Sequence, residues 1–85
     1  MIANVKVYTT TRCPYCVWAK ALLTKRSVPF EEIDVTGDFE RREWLVKESG
    51  MRTVPQIFID GQSVGGFDEL HELDASGDLE KLLHR

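Results

Sequence analysis

Two β-prone runs, each followed by an amphipathic helical segment, occupy the first half of this 85-residue chain and restrict its fold more than any other feature. Val5, Val7 and Tyr8 form the first run, and the polar stretch Thr9 to Arg12 carries the chain out of it. Proline is favoured in a first helical turn, so a helix is predicted from Pro14. Cys16, Ala19 and Leu23 then recur on one stripe, with Lys20, Lys25 and Arg26 elsewhere on the surface, and Ser27 to Pro29 ends the helix. Phe30, Ile33 and Val35 make the second run. Thr36-Gly37-Asp38 supplies cap chemistry for a charged helix over Phe39 to Ser49, and Gly50 closes it. Trp44, Leu45 and Val46 are core or helix-face positions in that segment.

Consecutive strand–helix pairs imply a parallel strand pair joined by a right-handed crossover. The next run, Gln56-Ile57-Phe58-Ile59, reaches Gln62-Ser63-Val64 through Asp60-Gly61, a strong hairpin signal that adds antiparallel strands. After Gly65-Gly66, Leu70, Leu73, Leu79, Leu82 and Leu83 are broken by Ser76-Gly77-Asp78, which predicts two short helices. The expected fold is α/β in the order βαβαββα, a mixed four-stranded sheet flanked by helices. One domain over residues 1–85 accommodates it, since a hydrophobic content of 42% supports a single core without disorder.

The net charge of −3 comes from interspersed signs, so no basic stripe offers a nucleic-acid surface. No apolar stretch approaches the roughly 20 residues of a membrane span, and the start of the chain lacks a signal-peptide pattern. A cytoplasmic protein is expected, and in that setting a cysteine pair is redox-active or metal-binding rather than a structural staple.

Both cysteines lie in Cys13-Pro14-Tyr15-Cys16, at a strand–helix junction inside a βαβ unit, where such a pair reads as a redox motif. A side chain at a helix start meets unpaired N–H groups and the positive end of the helix dipole, which both favour a thiolate. Cys13 is thus the candidate nucleophile. Cys16, one turn on and on the buried stripe, is the candidate resolving thiol. Two other readings compete. A stapling disulfide would close too short a loop to stabilise much, and a metal site would have to recruit His71 and His84, 13 residues apart and both expected on the surface.

Three blocks together resemble the small dithiol glutaredoxins: the CPYC tetrad after a strand, Thr53-Val54-Pro55 before the third strand, and Gly65-Gly66-Phe67-Asp68 after the fourth. The resemblance covers nearly the whole chain. It implies a thioredoxin-like fold and glutathione-dependent reduction of protein–glutathione mixed disulfides and protein disulfides, with glutathione as cosubstrate, no tightly bound cofactor or metal, and a monomer. It further implies a cis Val54-Pro55 bond that presents the Val54 backbone to a bound cysteinyl peptide. Gly66, Phe67 and the amides after them become a site for the γ-glutamyl carboxylate, while Asp68, at the helix start, accepts from its ammonium. Arg42, in the second helix, would reach the glycyl carboxylate; its alternative is an ordinary surface ion pair. Tyr15 would cover the thiol edge, with Trp18 exposed nearby. Many glutaredoxins carry a lysine where this chain has Thr10. Alternation along extended backbone would let Arg12 point the same way as residue 10 and take over that contact.

Two other functions fit the same residues. A protein of this fold could be reduced by a thioredoxin-type reductase, against which the basic residues, Gly65-Gly66 and Asp68 argue. An iron–sulfur carrier would ligate its cluster through Cys13 and glutathione between two subunits, and Pro14 stiffens the loop against that.

Overall fold

The computed structural model describes residues 2–84. It contains β1 (Val5–Thr9), α1 (Pro14–Lys25), β2 (Glu31–Asp34), α2 (Phe39–Ser49), β3 (Gln56–Ile59), β4 (Gln62–Gly65), α3 (Phe67–Ser76) and α4 (Asp78–Leu83). The strands form one sheet in the order β2-β1-β3-β4. β1 and β2 are parallel, and the β1–β3 and β3–β4 pairs are antiparallel. The expected mixed sheet is therefore present, with the last helical region split at Gly77, whose φ of 86° stops α3.

The period-2 alternation of β1 and β3 sorts the core into two layers. Val5, Val7, Ile57 and Ile59 face Ala19 and Leu23 of α1, Leu70 of α3, and Leu79 and Leu83 of α4. Tyr8 and Phe58 belong to a second cluster with Val35 and Leu45. Trp44 of α2 closes that cluster at its edge, its ring centroid 5.7 Å from Tyr8 and 5.6 Å from Phe58. Helices α1, α3 and α4 thus cover one face and α2 the other. The hairpin turn has both central residues at positive φ, Asp60 at 51° and Gly61 at 82°, which matches the strand twist. Asp60 also accepts from the Asn4 amide at 2.9 Å, fixing the turn to the chain entering β1.

Asp38 caps α2 by accepting from the Arg41 amide at 3.0 Å. Thr36, just before it, accepts from the Thr11 amide at 2.9 Å. This second bond ties the loop entering α2 to the turn entering α1, so the two helix starts lie at the same end of the sheet.

Candidate active site

Cys13 is the N-cap of α1, and its Sγ accepts from the Cys16 amide at 3.1 Å. A thiol has taken the place usually filled by a Ser, Thr, Asp or Asn oxygen, and a thiolate there accepts a stronger, charge-assisted bond than a thiol can. Sγ also lies 3.6 Å from the Val54 carbonyl. The Val54-Pro55 bond is cis. Cys13 is half-buried, whereas Cys16 is only 2% exposed. Burial, followed by its side-chain contact with Cys13, pushes the Cys16 thiol up to about 12. One sulfur is reachable and the other is shielded and held protonated.

A cleft of about 280 Å³ opens beside this pair, lined by Tyr15, Met51, Thr53, Val54, Pro55, Gly66, Phe67, Asp68 and Glu69. Seven of the sequence-expected site residues therefore meet in one place. The cleft is narrow because the Gly66 backbone approaches Pro55; a Cβ on Gly66 would stand 3.2 Å from the Pro55 carbonyl oxygen. Tyr15 and Trp18, about half exposed, extend this wall outward with their ring centroids 4.9 Å apart. The Phe67 ring lies 6.1 Å from Tyr15, 5.9 Å from Trp18 and 5.9 Å from His71, completing an exposed aromatic row.

The structure corrects three expectations. Arg12 does not continue an extended strand: its φ is 62°, within a turn, so the alternation argument linking it to position 10 fails. Its side chain instead borders a second hollow with Thr10, Cys13, Cys16 and Lys20. The Gly66 amide is not free for an anion, because Glu69 Oε1 accepts from it at 2.7 Å. Asp68, as expected of a residue at the helix start, is an acid of the first turn of α3. Arg42, half-buried on α2, does not line the cleft. His71 and His84 are exposed as expected, and among the described residues no three His, Cys, Asp or Glu side chains gather into a metal site.

Three residues near the site were not singled out from the sequence. Met51 lies after Gly50 in an unpatterned loop. Glu69 could have been noticed as the N3 acid of a capping box, had a glycine N-cap suggested one. Lys20 donates to both carboxylate oxygens of Glu32, at 3.1 and 3.0 Å, and Thr9 donates to Glu32 at 2.8 Å. The Thr9 bond, then Lys20, hold the Glu32 carboxyl below its usual range. Lys20 also offsets part of the upward shift of Cys16.

The glutaredoxin family model matches residues 5–64. This chain belongs to the glutaredoxin family. It is 52% identical to glutaredoxin 3 of Escherichia coli (strain K12) over 82 residues, 96% of this chain and 99% of the relative. Among solved structures, the glutaredoxin of Brucella melitensis matches with a TM-score of 0.86 and 44% identity, covering 96% of this chain and 89% of that one. A buckwheat glutaredoxin–glutathione complex matches with a TM-score of 0.88 and 30% identity, covering 95% and 76%. This glutaredoxin has the thioredoxin-like fold of these neighbours and is a glutathione-dependent thiol–disulfide oxidoreductase. No helix among its described residues is long and apolar enough to cross a membrane.

Proposed function

We propose that the substrates are protein–glutathione mixed disulfides and protein disulfides, and that Cys13 starts both reactions. The Cys13 thiolate attacks the glutathionyl sulfur, the S–S bond breaks, and the protein leaves as a thiolate that takes up a proton. The resulting Cys13–glutathione disulfide is attacked by a second glutathione thiolate, which regenerates Cys13 and releases oxidised glutathione. With a protein disulfide, Cys13 becomes bonded to the protein and Cys16 attacks Cys13, leaving a Cys13–Cys16 disulfide that two glutathiones reduce. The observation that carries this reading is the position of Cys13 Sγ, on the Cys16 amide and against the Val54 carbonyl, at the mouth of the 280 Å³ cleft.

The cleft's charge pattern favours glutathione over a simple anion. The Phe67 and Asp68 amides, in the first turn of α3, have no intrahelical acceptor and suit a carboxylate, while the Asp68 and Glu69 carboxylates beside them repel an unaccompanied anion. A γ-glutamyl group brings a carboxylate and an ammonium on one carbon, so each half meets its complement. The glycyl carboxylate is assigned on this reading to Arg12, in the turn before α1, and Arg42, in the first turns of α2, and the Thr11–Thr36 bond that links the loops entering those helices supports the assignment. Thr53, Val54 and Pro55 supply the extended backbone between, and Tyr15 and Phe67 the apolar wall. The protein works as a cytoplasmic monomer on this reading.

Variants of the two thiols test it. Cys16→Ser should still reduce glutathione mixed disulfides and, with oxidised glutathione, gain one glutathione by mass spectrometry; Cys13→Ser should be inactive on every substrate. An unmodified Cys13 in Cys16→Ser would overturn the roles.

A further inference from the structure

Gln56 opens β3 and is 1% exposed, yet its amide takes no part in the sheet. Its Nε2 donates to the carbonyls of Met51 at 2.9 Å and Thr53 at 3.0 Å. Its Oε1 is buried with no partner among the described residues. Turning the amide over would face Oε1 toward two carbonyl oxygens, so the loop carbonyls dictate its orientation. A buried, unsatisfied oxygen disfavours the folded state, and an apolar side chain of the same length would not carry one. What the amide provides in return is local. Residues 50–55 belong to no helix or strand, and both carbonyls that Gln56 holds sit in that loop. Met51, Thr53, Val54 and Pro55 line the cleft, and the carbonyl following Thr53's is the one 3.6 Å from Cys13 Sγ. The Ser49 hydroxyl steadies the Met51 end of the loop, accepting from the Met51 amide at 3.0 Å and lying 3.3 Å from the Met51 carbonyl, and does not reach Thr53.

We infer that Gln56 is a positioning residue for the glutathionyl half of the substrate: by clamping the Met51 and Thr53 carbonyls it fixes the Val54 backbone opposite Cys13, and touches no substrate itself. This rests on the cleft's being the glutathione site, as proposed above. Gln56→Met keeps side-chain length while removing both donors and the orphan oxygen together. Two neutral hydrogen bonds lost from a pre-ordered loop predict a KM for a small glutathione mixed disulfide raised about tenfold, with kcat held within about twofold. The melting temperature should stay level or rise, which a merely structural role for the amide does not allow.

Gln56→Glu gives a second readout. Ionised, the glutamate presents oxygens to both carbonyls; protonated, its O–H can donate to one of them, so the KM of Gln56→Glu divided by that of wild type at the same pH should fall toward one as pH is lowered, a ratio in which the shared titrations of Cys13, Asp68 and Glu69 cancel. That trend alone decides the matter if Gln56→Met does not fold. Wild type is run alongside on a mixed disulfide of a small thiol without γ-glutamyl or glycyl groups. Equal use of both substrates by wild type would overturn the glutathione cleft. A wild-type preference for glutathione that Gln56→Met retains in full, or a ratio of Gln56→Glu to wild-type KM indifferent to pH, would overturn the role of Gln56 alone.

Discussion

Removing Cys13 should make Cys16 a stronger acid. Three causes raise Cys16 to about 12 from an ordinary 9.0: burial is the largest, then the side-chain contact with Cys13, and, further down, the Cys13 charge. The last two vanish when Cys13 is bound in a mixed disulfide, because its sulfur then carries no charge. A thiol with pKa about 12 is thiolate in about one molecule in a hundred thousand at pH 7, and one at 9.0 in about one in a hundred, so the whole interval spans about a thousandfold in attacking species. Cys13→Ser deletes the thiolate while burial, the first cause, persists. Cys16 in that variant should therefore titrate between 9.0 and 12 rather than at either limit. Thiolate ultraviolet absorbance against pH measures it directly, with Cys13→Ser/Cys16→Ser as the blank. A Cys16 titration still at about 12 in Cys13→Ser would refute the claim that mixed-disulfide formation itself primes the resolving thiol.

Three further outcomes are expected. Asp68→Ala should raise the KM for glutathione mixed disulfides about three- to tenfold, as for one lost charge-assisted hydrogen bond near solvent, with Cys13 alkylation by a small reagent unchanged in rate. Gly65→Ala should unfold at lower denaturant, by about 1–3 kcal/mol, because φ there is 107° and a Cβ would stand 2.7 Å from Glu69 Cγ. Reduced wild type should lose stability relative to Cys16→Ala as pH rises from 9.0 toward 12 in denaturant titrations: the unfolded thiol releases its proton near 9.0 while the native one keeps it, so the unfolded state binds fewer protons in that window. A constant difference across it would contradict the raised pKa of the native Cys16 thiol.

Helix and strand order was legible because each boundary carries its own local chemistry: Pro14 opens α1, Asp38 caps α2, Asp60-Gly61 turns the hairpin and Gly77 divides α3 from α4. Cys13 at a helix start was legible for the same reason, and the three blocks of family resemblance drew Val54, Gly66 and Asp68 to one cleft. Interactions set by sequence-distant packing were not. Nothing near Glu32 announces Lys20 and Thr9, and Gln56 reads as the polar edge of an apolar run although it is buried. Arg12 was misplaced because its own left-handed backbone breaks the alternation that extended residues keep, and arginine carries no mark of that conformation.

The two tryptophans lie on opposite sides of the sheet, Trp18 on α1 and Trp44 on α2. Trp18 stands in the aromatic row whose Tyr15 and Phe67 also wall the cleft, whereas Trp44 leans on Tyr8 and Phe58 under α2. Unlabelled protein therefore contains one fluorophore packed against the residues that wall the cleft and another in the α2 layer, away from it. Emission from Trp18 should change when a glutathionyl group enters or leaves the cleft, with Trp44 as an internal reference. Replacing Trp44 by Phe isolates the first signal, so each half of the catalytic cycle becomes visible in a stopped-flow trace without a coupled reductase.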